Sequence, residues 1–267
     1  MSGRPPLVFS SLLADNAEPL FADLAGYLAT RLVRPVELAG GPWSARRRLI
    51  ADGAAHLAAL CGALVVFDDE LSEILEPVAA PVCAGSDGRE GAVYFTDVVV
   101  VADHPARRFE ELRGCAWAYN EKASHSGYHV VRAHLASLGD RRGFFGSAVS
   151  AGSHQAALER VLDGRADAAP IDSYVLARAR AARPAVDREL RVVARLGPSP
   201  APPLAVARSL PAALRQRIGE LLTAMHEEPE GARLLRAHLL ERFAPAGPAD
   251  YAPIRAMAAA GEGIELT

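Results

Sequence analysis

The amino-acid sequence predicts an α/β fold made of mostly parallel sheets flanked by helices. Short apolar runs of strand type alternate with stretches whose apolar residues recur at helical spacing. That alternation is typical of parallel strands joined by helices on both faces of a sheet. With 267 residues, 50% of them hydrophobic, the chain has enough apolar material for one large domain or for two lobes.

The first part of the chain predicts four strands and two helices. Apolar residues at helical spacing predict a helix over residues 20–32, and a second helix is predicted over 44–52, ending at Gly53. The predicted strands are short and apolar, and they cover residues 7–9, 36–38, 63–67 and 77–83.

A longer apolar strand at residues 92–102 suggests a crossing from one lobe to another, after which the alternation starts again. The next predicted strands are 115–119, 144–149, 166–171 and 190–194, and the helices are 127–138, 155–162 and 173–181. A stiff proline-rich connection at 197–203 leads to a strand at 204–207, and the remainder is predicted helical to about residue 260. We therefore predict an outer lobe of residues 1–95 and 203–267, and an inserted lobe of residues 96–202. The two crossing hinge segments lie near 93–98 and 194–204.

Charge and cysteine content narrow the class of protein. The formal net charge of −3 gives no basic field for nucleic acid or for an anionic membrane, so no nucleic-acid partner is expected. No apolar run is long enough to span a bilayer, and no signal peptide is recognised. The expected location is cytoplasmic for the chain as written, or extracytoplasmic if it is the mature form. Cys61, Cys83 and Cys115 are expected to be free thiols, although one disulfide is an alternative.

Three turns before predicted helices are candidate anion sites, because a helix start offers unpaired N–H groups and a positive dipole. In the first turn, residues 123–128, Ser124 is a candidate N-cap and Gly127 leaves space. The second contains His154, which donates to an anion when protonated. The third, residues 40–44, precedes three arginines at 46–48. Three cations in the first turn are unfavourable near the positive end of the helix dipole, and a bound anion would reduce that repulsion. The alternatives are an ordinary serine cap, a surface or capping histidine, and at least two arginines that simply face solvent.

Two further residues are candidates for ligand contact. Asp172 follows a predicted strand, where it is either a helix N-cap or a carboxylate for a cationic ligand group. Tyr94 lies on the crossing strand and faces either ligand or core. His125 and His129 have the i, i+4 spacing of metal ligands, but no carboxylate at matching spacing accompanies them, so no metal and no cofactor is expected.

The order of these elements resembles the PhnD-like family of phosphonate, phosphite and phosphate ABC transporter substrate-binding proteins. The segments 94–100, 109–114, 124–128, 152–154 and 162–169 carry the resemblance. It implies a two-lobed fold of the type 2 periplasmic-binding-protein class, with the ligand bound in a cleft between lobes that close by hinge motion.

The resemblance also implies roles for seven residues. Ser124, His125, Ser126 and His154 match positions that hold the phosphonate oxygens, and Trp43 stands where a tyrosine usually completes the site. Tyr94 and Asp172 match positions that contact the rest of the ligand. His125 replaces a usual threonine, and Lys122 places a cation beside the turn. These departures widen the expected ligands to phosphate esters, other oxyanions and carboxylates.

The resulting hypothesis is a monomeric protein that binds a small anionic ligand and has an ABC permease as partner. We expect a binding protein rather than an enzyme. The alternative is a cytoplasmic enzyme, of lyase or hydrolase type, or a ligand sensor on the same scaffold.

Overall fold

The computed structural model describes residues 4–84 and 91–267, and it confirms the α/β class. The strands are β1 Leu7–Ser11, β2 Val36–Leu38, β3 Leu57–Ala59, β4 Leu75–Cys83, β5 Val93–Val101, β6 Ala116–Tyr119, β7 Ser147–Ser150, β8 Ala168–Asp172, β9 Leu190–Pro200, β10 Leu204–Ala207 and β11 Leu240–Pro245. The α-helices are α1 Glu18–Leu32, α2 Trp43–Ala51, α3 Gly62–Phe67, α4 Asp69–Ile74, α5 Val130–Ser137, α6 His154–Leu162, α7 Ser173–Ala182, α8 Val186–Glu189, α9 Ala212–Thr223, α10 Pro229–Ala237 and α11 Ala252–Ala260. Short 3₁₀ turns occupy Asp15–Ala17, Phe109–Leu112, Met225–Glu227 and Pro248–Tyr251, and a π-helical turn occupies His125–His129.

Contacts divide the chain into two compact units. The first unit is Met1–Val93 with Pro200–Ala252, and the second is Tyr94–Ser199 with Pro253–Thr267. The two boundaries at 93/94 and 199/200 fall inside β5 and β9. The C-terminal segment differs from the expected division, which placed all of 203–267 in the outer lobe. It belongs with the second unit because Ile264 and Leu266 pack into that unit's core.

The first unit contains a six-stranded mixed sheet in the order β11-β4-β10-β3-β1-β2. Strand β1 pairs in parallel with β2 and β3, whereas β10 is antiparallel to β3 and β4, and β11 is antiparallel to β4. The expectation of mostly parallel sheets is thus corrected to mixed sheets. Strand β10 follows the inserted second unit and enters the sheet in the opposite direction. In the core, Phe9 and Phe21 meet edge to face with centroids 5.7 Å apart.

The second unit contains a five-stranded sheet in the order β7-β6-β8-β5-β9. Strand β6 is parallel to β7 and β8, and β5 is antiparallel to β8. An aromatic core supports this sheet: Trp117 stacks on Phe145 at 4.2 Å, and Phe109 stacks on Phe144 at 5.2 Å. The parallel pairing brings the carboxyl ends of β6 and β8 to one edge, which is where the candidate residues lie.

Two local predictions were wrong in kind, and two others differ only in detail. Residues 63–67, predicted as a strand, lie in helix α3, and the strand of this region is β3. The C-terminal part is not all helical, because β11 lies between α10 and α11. The predicted helix over 127–138 begins as the π-helical turn and continues as α5. Strand β9 is longer than predicted, since it extends through the first part of the proline-rich stretch to Pro200.

Two expectations concern absent features. Within residues 4–84 and 91–267, no helix is long and apolar enough to cross a membrane. All three cysteines are among the described residues, and none of them forms a disulfide. Each thiol is half-buried rather than fully buried.

Candidate functional site

The turn after β6 begins with a side-chain cap. Ser124 Oγ accepts a hydrogen bond from the Gly127 backbone N–H at 3.1 Å, as the sequence predicts for an N-cap. The N–H groups of His125 and Ser126 belong to the first turn, so no earlier carbonyl of the helix accepts them. Ser124 and Ser126 are both buried. The turn therefore presents two hydroxyls and helix-start N–H groups in a confined place.

Gly127 is required by the packing of this turn. A Cβ atom at residue 127 would lie 1.7 Å from Asn120 Oδ1, which is far inside van der Waals contact. Asn120 directly follows β6, and its side chain is buried against the turn. The Asn120 Oδ1 atom has no hydrogen-bond partner, so the amide retains unused hydrogen-bonding capacity.

His154 is brought to the same place by the loop before α6. The Asn120 carbonyl accepts hydrogen bonds from Gly152 N–H and Ser150 Oγ, both at 2.8 Å. Ser153 then caps α6 by accepting from Ala156 N–H at 3.0 Å. As a result, His154 Nε2 lies 3.1 Å from Ser126 Oγ and 3.3 Å from Asn120 Nδ2. We call Asn120, Ser124, Ser126 and His154 the polar cluster.

The electrostatics of the polar cluster are dominated by burial. Burial lowers the pKa of His154 to about 4, and an interaction with the Pro170 carbonyl opposes that shift. The ring is therefore neutral at pH 7, and none of the four side chains of the cluster is charged. A buried neutral cluster with spare donors is suited to an anion, whose charge would be solvated only by these groups.

Thr96 and Asp172 support the cluster from β5 and β8. Thr96 Oγ1 donates to the Ser126 carbonyl at 3.0 Å, and Thr96 pairs with Asp172 in the sheet. Asp172 caps α7, with Oδ1 accepting from Tyr174 N–H at 2.8 Å and Val175 N–H at 3.2 Å. The N-cap interpretation of Asp172 is thus confirmed. Burial raises the Asp172 pKa to about 6, and the nearby Asp97 carboxylate adds to the rise.

The His125 ring points into the second unit. It is fully buried, and Nε2 lies 2.9 Å from Ser199 Oγ, which donates to Met257 Sδ at 3.9 Å. The Tyr94 ring meets it edge to face, with centroids 6.5 Å apart. Burial, together with His129, lowers the His125 pKa to about 3. The geometry thus assigns the ring to holding the turn, and ligand contact through its side chain remains a prediction.

Trp43 and the three arginines lie in the first unit. Trp43 is the first residue of α2 and is 41% exposed. Arg46 is buried and pairs with Asp15 at 3.3 Å, and Arg47 pairs with Asp68 at 2.7 Å. Carboxylates of the protein therefore compensate two of the cations. Only Arg48 of the three is exposed, so the alternative in which at least two of them face solvent is wrong.

The seven predicted residues fall into four groups. Ser124, Ser126 and His154 come together, the Tyr94 ring meets the His125 ring, and Trp43 lies in the first unit. Asp172 is linked to Ser126 through Thr96. Sequence analysis named neither Thr96 nor Asn120 as a site residue. The available signal was the position of Asn120 directly after a strand.

Within the described residues, no group of three or more His, Cys, Asp or Glu side chains is placed to hold a metal ion.

Solved structures of bacterial binding proteins share this fold. A binding protein component of an ABC phosphonate transporter from Pseudomonas aeruginosa matches with a TM-score of 0.81 and 16% identity, covering 95% of this chain and 85% of that one. PhnD1 from Prochlorococcus marinus, solved with methylphosphonate, matches with a TM-score of 0.81 and 15% identity, covering 97% and 99%. XAC2383 from Xanthomonas citri, solved with ATP, matches with a TM-score of 0.72 and 19% identity, covering 97% and 98%. Among curated proteins, none matches the chain significantly.

The two mixed sheets flanked by helices define a protein of the type 2 periplasmic-binding-protein class. A family model assigns the chain more narrowly. The model for the periplasmic substrate-binding protein of phosphonate ABC transporters matches residues 7–251. The chain belongs to this family, and the resemblance stated from the sequence is confirmed.

Proposed function

We propose that this chain binds a phosphonate-type oxyanion at the polar cluster and serves as the solute-binding component of an ABC transporter. One observation carries the proposal: uncharged, buried hydrogen-bonding groups from two segments, residues 120–126 and the start of α6, converge at the start of a helix. Family membership supports it, and so does the methylphosphonate bound by the Prochlorococcus relative.

Each group of the cluster has a part in binding. Ser124 uses its Oγ lone pair to cap the turn, so its hydroxyl hydrogen is left to donate to a ligand oxygen. Ser126 Oγ and Asn120 Nδ2 are two more donors, and the helix dipole adds a favourable field. Hydrogen bonds to a charged group contribute about 1.5–3 kcal/mol each, so three or four of them outweigh the ordering costs of a small ligand.

The other four residues predicted to contact the ligand are also part of the proposal, although none of them is a member of the polar cluster. Asp172 has one carboxylate oxygen occupied by the α7 cap, which leaves the other oxygen for a cationic ligand group. Tyr94 and His125 hold the turn from within the second unit. Trp43 belongs to the first unit, and its contribution remains a prediction, as does hinge closure.

An enzyme at this site would use Ser126 as nucleophile and His154 as base. The two atoms are close enough, but a pKa of about 4 makes the His154 ring a poor base at neutral pH. The backbone group that interacts with the ring is a proline carbonyl, which is a weaker orienting group than the carboxylate of a catalytic triad. The geometry therefore favours binding over turnover.

We propose an extracytoplasmic location and an ABC permease as partner, since the family consists of periplasmic substrate-binding proteins of these transporters. A monomer in solution is part of the same proposal, because one chain supplies the whole polar cluster. Size-exclusion chromatography with light scattering tests this point, and a stable dimer that buries the turn would contradict it.

Thermal unfolding against a panel of phosphonates, phosphite, phosphate esters, sulfate and small carboxylates tests the proposed function. A ligand at about 100 times its dissociation constant stabilises a protein by ~2.7 kcal/mol, which is a clear rise in midpoint. We expect the rise with phosphonate-type anions, its loss in His154→Ala, and its retention in Arg48→Ala at the exposed end of the α2 cation group. No rise with any tetrahedral anion would overturn the proposal.

A further inference from the structure

His154 Nε2 is the acceptor that two donors of the polar cluster approach. His154 Nε2 lies 3.3 Å from Asn120 Nδ2, and an amide nitrogen only donates. The amide is placed with Nδ2 toward His154 Nε2 and with Oδ1 on the other side, beside Gly127. Nε2 is therefore the acceptor of this pair, and the proton of the neutral ring sits on Nδ1. The Pro170 carbonyl favours the same tautomer, although Nδ1 forms no hydrogen bond of standard geometry.

The charges around His154 do not alter this state. On its own helix, Glu159 and Arg160 lie more than one turn away. The ionisable groups on the neighbouring segments are Tyr119 on β6, Asp172 on β8, His125, Tyr128 and His129 in the π-helical turn, and Glu121 and Lys122 after Asn120. The pKa of the His154 ring is lowered by burial, and no charged neighbour contributes to the shift. The ring thus remains an acceptor at Nε2 at neutral pH.

The acceptor is crowded in the ligand-free arrangement. Nε2 has one lone pair, yet both Asn120 Nδ2 and Ser126 Oγ approach it. A ligand hydroxyl that donated to Nε2 would replace both of them. It would free the amide and the serine hydroxyl to donate to two other ligand oxygens, so that Nε2, Nδ2 and the Ser126 hydroxyl would each have one partner.

We propose that the site selects a tetrahedral oxyanion that carries one proton: its P–OH donates to His154 Nε2 while two unprotonated oxygens accept from Asn120 and Ser126. This inference deepens the proposed function and rests on it. The substrate class is then a phosphonate, phosphite or phosphate ester in its monoanionic form. Sulfonates and sulfate, which carry no proton at neutral pH, leave the Nε2 lone pair facing a ligand oxygen, and two facing acceptors repel.

Methylphosphonate and methanesulfonate are the matched pair for the test. At a pH below the second pKa of methylphosphonate, both are tetrahedral monoanions with one methyl group, and they differ by a single ligand hydrogen. Isothermal titration calorimetry on the full chain should show methanesulfonate binding at least ~100-fold more weakly, because a site built around a ligand hydroxyl rejects the analogue without it. Phosphate and sulfate form a second pair for the same comparison.

Proton counting gives an independent readout. Calorimetry in two buffers of different ionisation enthalpy measures the protons taken up on binding. Below the second pKa of methylphosphonate we expect no net uptake, and above it we expect about one proton per ligand. His154→Asn removes the Nε2 acceptor, so this variant should lose the discrimination between the two anions. The wild-type comparison needs no variant and stands if this one fails to fold.

The outcomes separate the two proposals. Tight binding of methylphosphonate with methanesulfonate within about threefold, or binding without proton uptake above the second pKa, overturns the proton-selective site and leaves the proposed function intact. Failure of every tetrahedral anion to bind overturns both.

Discussion

The start of α2 in the first unit and the polar cluster in the second unit are both helix starts that the sequence marks as anion sites. They differ in how their charges are balanced. At α2, Arg46 and Arg47 are already paired with Asp15 and Asp68. In the polar cluster no side chain is charged, and the donors face one another or a single crowded acceptor.

This difference shows that cations alone do not make an anion site. A cation paired with a carboxylate has little attraction left for a ligand, and displacing the carboxylate would cost what the ligand gains. Neutral donors that are buried and only partly satisfied have no such competitor. The uncharged helix start is accordingly the stronger candidate, although it carries fewer basic residues.

The two capping aspartates repeat the contrast. Asp68 caps α4 and pairs with Arg47, so its charge is compensated. Asp172 caps α7, and no ion pair to it is found among the described residues. Burial and the Asp97 carboxylate both raise its pKa, to about 6. The capping aspartate of the second unit, Asp172, thus has no cationic partner among the described residues, whereas Asp68, the capping aspartate of the first unit, is paired with Arg47.

The largest effect is expected from Gly127→Ala. The new Cβ would force Asn120 out of its position, at a cost of about 1–3 kcal/mol in the free energy of unfolding and about 10- to 100-fold in methylphosphonate affinity. Gly26→Ala in α1 of the first unit is the control, because nothing lies within 4 Å of its Cβ position. It should raise stability by about 0.5–1 kcal/mol. Urea unfolding and calorimetry measure both. Unchanged affinity in Gly127→Ala would contradict the role of Asn120.

Asp172→Asn should stabilise the folded chain at neutral pH. The ordinary pKa is 3.8 and the folded value is about 6, so between these values the folded state holds a proton that the unfolded state has lost. Stability contributed by Asp172 therefore falls as pH rises through this window, and the carboxylate costs up to ~3 kcal/mol at pH 7. Asparagine keeps the cap and removes that cost.

Asp68→Asn is the matched variant in the first unit. It removes an ion pair of a compensated carboxylate, so we expect a loss of about 0.5–1 kcal/mol instead of a gain. Urea unfolding near pH 7 and near pH 4 distinguishes the two, because the advantage of Asp172→Asn should vanish at the lower pH. A less stable Asp172→Asn at pH 7 would mean that the folded chain stabilises this carboxylate.

The sequence predicted the features that depend on local pattern. Caps at Ser124 and Asp172, and the strand before each of them, follow from turn chemistry and short apolar runs. Residues 63–67 were misassigned because a five-residue apolar run suits either a buried strand or a buried helix. Strand β11 was missed because its pairing with β4 is remote in sequence, and such pairing has no local signal.

The site was predicted in its parts and not in its connections. The turn, His154 and Asp172 were recognised as separate helix starts, but the hydrogen bonds that join them run through Asn120 and Thr96. Those bonds depend on the order of strands in the sheet and on the packing of Gly127, which the sequence alone does not encode in a readable form. The ion pairs of Arg46 with Asp15 and of Arg47 with Asp68 could not be predicted from the sequence for the same reason.

The smallest effect is expected at Lys122, the single lysine of the sequence, which is exposed between Asn120 and Ser124. An exposed cation acts on a nearby anion mainly through a screened field. Lys122→Ala should therefore weaken methylphosphonate binding by about two- to fivefold at low ionic strength, and the difference should disappear near 1 M salt, where the screening length is ~3 Å.

Arg48→Ala, an exposed cation of the first unit, is the control and should leave the affinity unchanged at either salt concentration. Lys122→Arg should retain it, because a field depends on charge and not on the shape of the charged group. A loss in Lys122→Ala that persists at high salt would instead indicate direct contact between the ammonium and the ligand. In that case the second unit would bind the ligand with a charged group as well as with neutral donors. The remaining difference from α2 would be that the cations Arg46 and Arg47 already have carboxylate partners.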